Sequence, residues 1–403
     1  MKRMLSLLTV LMLCTLMLAS AGAASPFMRY TQDYFGTVSM LCLYETEGAE
    51  ETWEDVKVLL REIDEAVSVS RETSDIARFN ALASGESMQI SDITRDILMT
   101  AKAAWELTDG LYDPTVFPLV DLWGFSPRFN RNTYRMELPY DRPLEDGHPA
   151  PADAADAAAL LPLVGLDGVE LKEEDGKWLL VKHTLPVEIG GCVIQAQMDP
   201  GGIAKGYACD RVVALLREKG YTEGYFVCGG SSMAFLTRPG DEMFSVTAGK
   251  PRGDDAGAYA GIRIRNTTLS SSADYSHSYV SQGILYCHLI DPRTGFPMNM
   301  PKDGKAQCGV ATVTLTGDSA ALNDALSTAL CLMGPEKALS FLKEREEKMI
   351  MAVYRDGEET LEVVSNLPED EVEILDPQYV WACREEAEGM AYTGSYSGER
   401  EDP

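Results

Sequence analysis

The chain has 403 residues, of which 45% are apolar and 24% charged, and a formal net charge of -28 at pH 7. That is enough chain for one large domain, or two smaller ones, with a full core. So acidic a chain repels nucleic acid and shows no basic stripe to offset it, which excludes a nucleic-acid partner. An anionic substrate would need local relief from a metal ion or isolated lysines.

Lys2 and Arg3 precede an apolar run from Met4 to Leu18, and Ala21-Gly22-Ala23 offers a small-residue cleavage site. This is the pattern of a secretory signal peptide over residues 1–23. Leu13 before Cys14 is too large for the usual lipid-attachment site, so the expectation is an exported, extracytoplasmic protein without a lipid anchor at Cys14. Membrane association is the lesser alternative. No later stretch reaches the roughly 18 uninterrupted apolar residues of a membrane span. The cysteines after the signal include no CxxC pair and most stand singly in apolar segments, which favours buried thiols over disulfides or zinc.

Residues 30–43 read as strand, turn and strand around Phe35-Gly36-Thr37. Trp53, Val56, Leu60, Ile63 and Val67 recur at helical spacing. Residues 68–80 are polar and turn-like, with Ser74 suited to an N-cap. Ile93, Ile97, Leu98, Ala101 and Trp105 predict a second helix ending at Asp109-Gly110. The apolar stretch 110–125 is broken by Pro114, Pro118 and Gly124 and suits neither a regular helix nor a strand. A buried irregular segment is costly unless its backbone groups find partners, so it reads either as ligand-lining or as a packed loop. Residues 126–157 look like a surface connection, and 169–185 like a hairpin turning at Glu174-Asp175-Gly176.

After a short strand from Leu185 to Ile189 or beyond comes Met198-Asp-Pro-Gly-Gly-Ile-Ala-Lys-Gly-Tyr-Ala-Cys-Asp210, glycines between a carboxylate and a lysine at a helix start. Backbone groups there can approach a phosphate closely. The stretch is neither a Walker loop nor G-x-G-x-x-G. Residues 224–232 form a strand running into Gly229-Gly230. Val246, Ile262, Ile264 and Thr267 mark further strands, and 310–315 a strong one. Asp318-Ser319 caps a helix that stops at Gly334-Pro335. A last helix (337–347) and a strand (349–354) then close the fold, with an acidic unpacked tail over 384–403. Strands outnumber helices and are often joined by hairpins. An α+β class with largely antiparallel sheets and packed helices is therefore expected over 24–383, in one domain or two subdomains, rather than a doubly wound parallel sheet.

On the capped helix, Asp324 and Thr328 lie four apart on one face. A carboxylate and a hydroxyl there are two hard oxygen ligands suited to Mg²⁺, or else a solvent-facing polar stripe. His288 precedes the turn Asp291-Pro-Arg-Thr-Gly295. It reads as a structural strand residue, or, near a metal-bound phosphate, as a general base.

Four stretches together resemble the ApbE family, the FAD:protein FMN transferases. They are residues 108–125 (Thr-Asp-Gly-Leu-Tyr-Asp-Pro-Thr-Val through Leu-Trp-Gly-Phe), 199–210, 288–295 and 323–329 (Asn-Asp-Ala-Leu-Ser-Thr-Ala). Phe35-Gly36-Thr37 and Ser74-Asp75-Ile76-Ala77-Arg78-Phe79-Asn80 match the family's opening motifs. The resemblance implies a T-fold-like flavin transferase, using Mg²⁺, that attaches FMN from FAD to a Thr or Ser hydroxyl of an acceptor flavoprotein and releases AMP. The acceptor would carry a Ser/Asp-Gly-Ala-Thr-like motif. The metal would be held by the Gly202 carbonyl, Asp324 and Thr328, with Ser327 close by. FAD would contact Leu111, Tyr112, Asp113, Asp199, Lys205 and Ile290. Phe35 and Ser70 fall where the family also touches FAD with a Met and a Tyr. Ser271-Ser272-Ala273 replaces the family's Thr-Ser-Gly, and only a glycine takes φ > 0 cheaply. His288 is the candidate base. The alternatives are hydrolysis of FAD to FMN and AMP, and a non-catalytic flavin-binding protein.

Overall fold

The computed structural model describes residues 25–126, 129–130, 135–136, 144–145, 148–149, 151–189, 191–251, 257–281, 284–298, 309–354 and 361–384. The signal sequence with Cys14, half of the surface connection 126–157, Cys308 and the acidic tail lie outside the described residues. The central sheet takes its nine strands in chain order: β1 Phe27–Thr31, β2 Ser39–Leu43, β3 Gly224–Cys228, β4 Ser232–Phe235, β5 Thr268–Ala273, β6 Val310–Gly317, β7 Lys348–Tyr354, β8 Leu361–Ser365 and β9 Tyr379–Arg384. Every neighbouring pair is antiparallel except β8–β9.

Both faces of this sheet are covered, and the sequence shows it by strict alternation. In β3, Phe226 and Cys228 point to a helical layer, while Tyr225 and Val227 face a second sheet; β2 divides the same way, Leu41 and Leu43 against Met40 and Cys42. A strand buried on both faces is uniformly apolar yet still sorts its side chains with period two. The second sheet is Phe244–Gly249, Ala258–Ile264 and Val372–Ile374.

The helices are α1 Ala49–Val67, α2 Asp75–Ala81, α3 Asp92–Leu107, α4 Phe117–Leu122, α5 Ala154–Leu160, α6 Gly201–Glu218, α7 Ala320–Met333 and α8 Pro335–Leu342, of which α4 and α5 pack in a satellite core of their own. The stretch 68–80 expected to be turn-like is in its second half the helix α2, whose Ala77 N–H is accepted by the predicted cap Ser74 at 2.9 Å. Within the broken segment 110–125, a 3-10 turn at Pro114–Val116 leads into α4, with Pro118 in its first turn where no donor is needed. The last helix ends at Leu342 rather than 347, and β8, Val372–Ile374 and β9 follow where the fold was expected to close. β8 is buried throughout, and β9 lies outside it as the last strand of the sheet.

Cys42, Cys192, Cys209, Cys228, Cys287 and Cys331 are free thiols, all but Cys192 buried. No helix among the described residues is long and apolar enough to cross a membrane.

Candidate active site

The site forms where α6 crosses α7. A Cβ on Gly206 would lie 2.1 Å from the Ala320 carbonyl oxygen and 2.8 Å from Ala321 Cα, so only glycine lets the two helices approach this closely. Asp210, one turn on, accepts hydrogen bonds from Ala320 N–H (2.7 Å), Ala321 N–H (3.0 Å) and Ser319 Oγ–H (2.9 Å). It therefore caps the start of α7 from the neighbouring helix. Sequence reading kept Gly206 and Asp210 in a motif without a role; what fixes them is helix-to-helix contact, which spacing cannot show.

The crossing sets Asp324 against α6. The α7 helix is buried on nearly all sides, and Asp324 is only 3% exposed, so the solvent-facing stripe is excluded. Gly206 N–H donates to Asp324 Oδ2 at 3.1 Å; in a regular helix that donor serves the Gly202 carbonyl. Burial pushes the Asp324 carboxyl up despite the opposing pull of Lys205. The Lys205 ammonium is raised in turn, chiefly by Asp324, and donates to the Gly201 carbonyl at 3.0 Å.

Hydroxyls complete the cluster. Ser272 Oγ lies 2.7 Å from Ser327 Oγ and 3.2 Å from Thr328 Oγ1, and Ser327 also donates to the Asp324 carbonyl. Ser272 is an addition to the predicted set; its signal was the position of Ser271-Ser272-Ala273 in the family pattern. Ala273 lies in extended β5, paired with Thr312, and is not among the positive-φ residues. The expected backbone difficulty at this alanine does not arise.

Gly202 faces these groups. A Cβ there would stand 3.3 Å from Tyr112 Cε2 and 3.9 Å from Thr328 Oγ1. Tyr112 is 4% exposed, and its hydroxyl is buried without a hydrogen-bond partner. Its proton is held well above the usual range by burial, then by Asp324 and Asp199. An orphaned donor costs free energy unless something arrives to accept from it. Asp199 accepts from Gly201 N–H at 2.8 Å, and burial raises its carboxyl as well.

Among the described residues no cluster of three or more His, Cys, Asp or Glu side chains can hold a metal. The donors that do converge, one carboxylate with hydroxyl and carbonyl oxygens, are hard. They fit a cation such as Mg²⁺ that completes its shell with water and ligand oxygens.

The other predicted residues are held in the surrounding loops and cores. Asp113 accepts from Thr115 N–H, Thr115 Oγ, Trp105 Nε1 and Leu166 N–H; its carboxylate is spent on holding the loop. Leu111 is buried in the main core and Ile290 in a satellite core around Trp123. Trp123 Nε1 donates to the Gly295 carbonyl at 2.8 Å, which joins the Leu-Trp-Gly-Phe and Asp-Pro-Arg-Thr-Gly motifs. Phe35 sits at φ 54, its N–H held by Asp64 Oδ1 at 2.9 Å. The same Asp64 takes Arg71 Nε at 3.0 Å, so the loops carrying Phe35 and Ser70 meet at one carboxylate that sequence reading missed. Two residues beyond Phe35, Thr37 packs with Lys205 around Gly229. The structure records no direct contact of Phe35, Ser70 or Ile290 with the Asp324 cluster.

His288 is half-buried beside its edge-to-face neighbour His277, with ring centroids 5.2 Å apart. Desolvation, then His277, and more weakly Lys205 push its pKa down to about 3. Its Nδ1 is buried without a partner.

The sequence profile of the ApbE family matches residues 35–353. The chain is 29% identical over 311 residues to the FAD:protein FMN transferase of Haemophilus influenzae, covering 77% of this chain and 79% of that protein. It is 26% identical to that of Escherichia coli, covering 78% and 80%. Two solved structures share its fold. One is the flavin transferase ApbE from Vibrio cholerae, with TM-score 0.65, 24% identity and coverage of 85% and 97%. The other is the apo flavinyl transferase ApbE of Pseudomonas stutzeri, with TM-score 0.67, 23% identity and coverage of 86% and 96%. The chain belongs to the ApbE family.

Proposed function

We propose that the protein transfers FMN from FAD to a Thr or Ser hydroxyl of an acceptor flavoprotein, forming a phosphoester and releasing AMP. The observation that carries this reading is the convergence of Asp324, Thr328, Gly202, Asp199, Lys205 and the orphaned Tyr112 hydroxyl at the α6 N-terminus. Hard oxygens, one lysine and one unsatisfied donor in one place suit a pyrophosphate. The activity named for the Haemophilus influenzae and Escherichia coli relatives agrees with it.

Phosphoryl transfer needs little covalent help and depends on positioning and charge neutralisation. Lys205 supplies a fixed positive charge, and Tyr112 a hydrogen bond that nothing in the protein takes up. Gly202, Asp324 and Thr328 would hold Mg²⁺, with Ser272, itself held by Ser327, fixing the threonine. When bound, the ion would offset pyrophosphate charge and the charge developing on departing AMP. Leu111, Asp113, Ile290, Phe35 and Ser70 would contact the rest of FAD. His288, neutral at working pH, takes the proton of the acceptor hydroxyl; a bound pyrophosphate beside it would strengthen it as a base. The leading Lys2-Arg3 and apolar run support export, so the acceptor would be an extracytoplasmic protein with a Ser/Asp-Gly-Ala-Thr-like motif.

The test is intact-mass analysis of an acceptor bearing that motif, after mixing with the protein, FAD and Mg²⁺. A gain equal to FMN less water, abolished by EDTA, is expected. Free FMN and AMP without a mass gain would replace transfer by hydrolysis. FAD retained with neither product would make the protein a flavin binder.

A further inference from the structure

FMN transfer to a hydroxyl sheds a proton, and the inference below rests on that reading. The pyrophosphate of FAD carries two negative charges. The phosphodiester formed keeps one, and AMP carries about two above its second pKa of about 6. As the acceptor O–P bond forms and the P–O bond to AMP breaks, the hydroxyl proton is left over and must reach solvent. His288 receives it, yet Nδ1 of that ring is sealed and has no partner.

Across the strand ladder stands His277. His288 N–H donates to the His277 carbonyl at 3.0 Å, extending the hairpin Ser278–Ser281/Ile284–Cys287 by one pair. Cross-strand partners project their side chains from the same face, and here the rings meet edge-to-face at 70°. His277 is exposed and His288 half-buried, and Lys205 lies near enough to act on His288, so the pair leads from the Lys205 side of the site to the surface. Two imidazoles this close resist holding two protons, and Lys205 on α6 also opposes a proton resident on His288. Both effects drive the proton outward.

We propose that His277 is a positioning residue, acting through His288, that relays the acceptor's proton to solvent. The experiment follows single-turnover AMP release and acceptor mass gain against pH for the wild type, His277→Gln and His277→Phe, with and without added imidazole. FAD affinity is measured in parallel. The expected result is a roughly tenfold slower turnover in both variants, an altered pH profile, unchanged FAD affinity, and recovery of His277→Gln by imidazole. His277→Phe keeps an aromatic ring against His288, so a wild-type rate there would reduce His277 to a packing partner and overturn the relay. A wild-type rate and profile in His277→Gln would do the same, as would a rate loss matched by lost FAD affinity without rescue. A wild type that yields neither AMP nor modified acceptor would overturn the transferase reading first, and the relay with it.

Discussion

Three of the motifs carry an Asp-Pro pair, and the structure uses them in opposite ways. On the wall, Asp113 takes four donors, and Asp291 takes the Arg293 N–H together with two guanidinium nitrogens. On the floor, Asp199 and Asp324 each take one backbone N–H, and the Tyr112 hydroxyl between them takes none. Asp113, Asp291 and Asp199 share residue type and the proline that follows, and Asp324 has an alanine there instead; the number of donors around the carboxylate differs. A saturated carboxylate holds a loop. An undersupplied one in a buried place is an unfinished site; burial raises the proton affinity of Asp113, Asp199 and Asp324 alike, so the donors and not the burial separate them.

The sharpest way to break this contrast is Asp324→Asn. Transfer should fall at least about 100-fold, the scale of losing one main electrostatic group, while the protein unfolds no more easily than before. The pH behaviour separates the two effects. The folded-state pKa of Asp324 lies above its unfolded value, so its contribution to stability is present at low pH and is lost as pH rises through the folded pKa. The wild type should therefore lose stability relative to Asp324→Asn on going from acid to neutral pH, and Mg²⁺ should bind more tightly, with proton release, as pH rises. Urea unfolding at several pH values and calorimetric Mg²⁺ titration read these. A destabilised Asp324→Asn with normal turnover would assign Asp324 to the wall.

The reverse outcome is expected for Asp113→Asn. An amide can replace a carboxylate's shape but not its capacity to accept from Thr115, Trp105 and Leu166 together. A loss of about 2 kcal/mol is expected from orphaned buried donors, measured as a shift in the denaturant midpoint. Turnover of the folded fraction should change far less than in Asp324→Asn.

What could be read from the chain follows the same division. Asp324 and Thr328 could be paired from a four-residue spacing, Ser74 from its capping pattern, and the α+β class from hairpin-linked strands. Each is local. The tight place of Gly206 depends on a carbonyl more than a hundred residues away, and the cap that Asp210 supplies belongs to another helix. Asp64 ties two loops that no motif connects. β8 and β9 were missed because a short apolar run says nothing of the sheet edge it will join. The saturation of Asp113 was unreadable for the same reason: two of its donors come from Trp105 and Leu166, brought in by the tertiary fold.

The smallest effect tests how far family pattern can stand in for local geometry. Ala273 replaces a glycine of the family's Thr-Ser-Gly, and a glycine suggests a backbone that other residues avoid. Here the residue is the last of β5, extended, paired with Thr312 and 7% exposed. In such a place glycine gains nothing and loses packing and chain stiffness. Ala273→Gly should therefore lower stability by about 0.5–1 kcal/mol, seen as a small drop in the denaturant midpoint, and leave FAD affinity and transfer rate as they are. If it instead tightened FAD binding or sped transfer, the loop holding Ser272 would be strained by its alanine. The hydroxyl cluster around Thr328 would then be set by backbone freedom rather than by strand pairing.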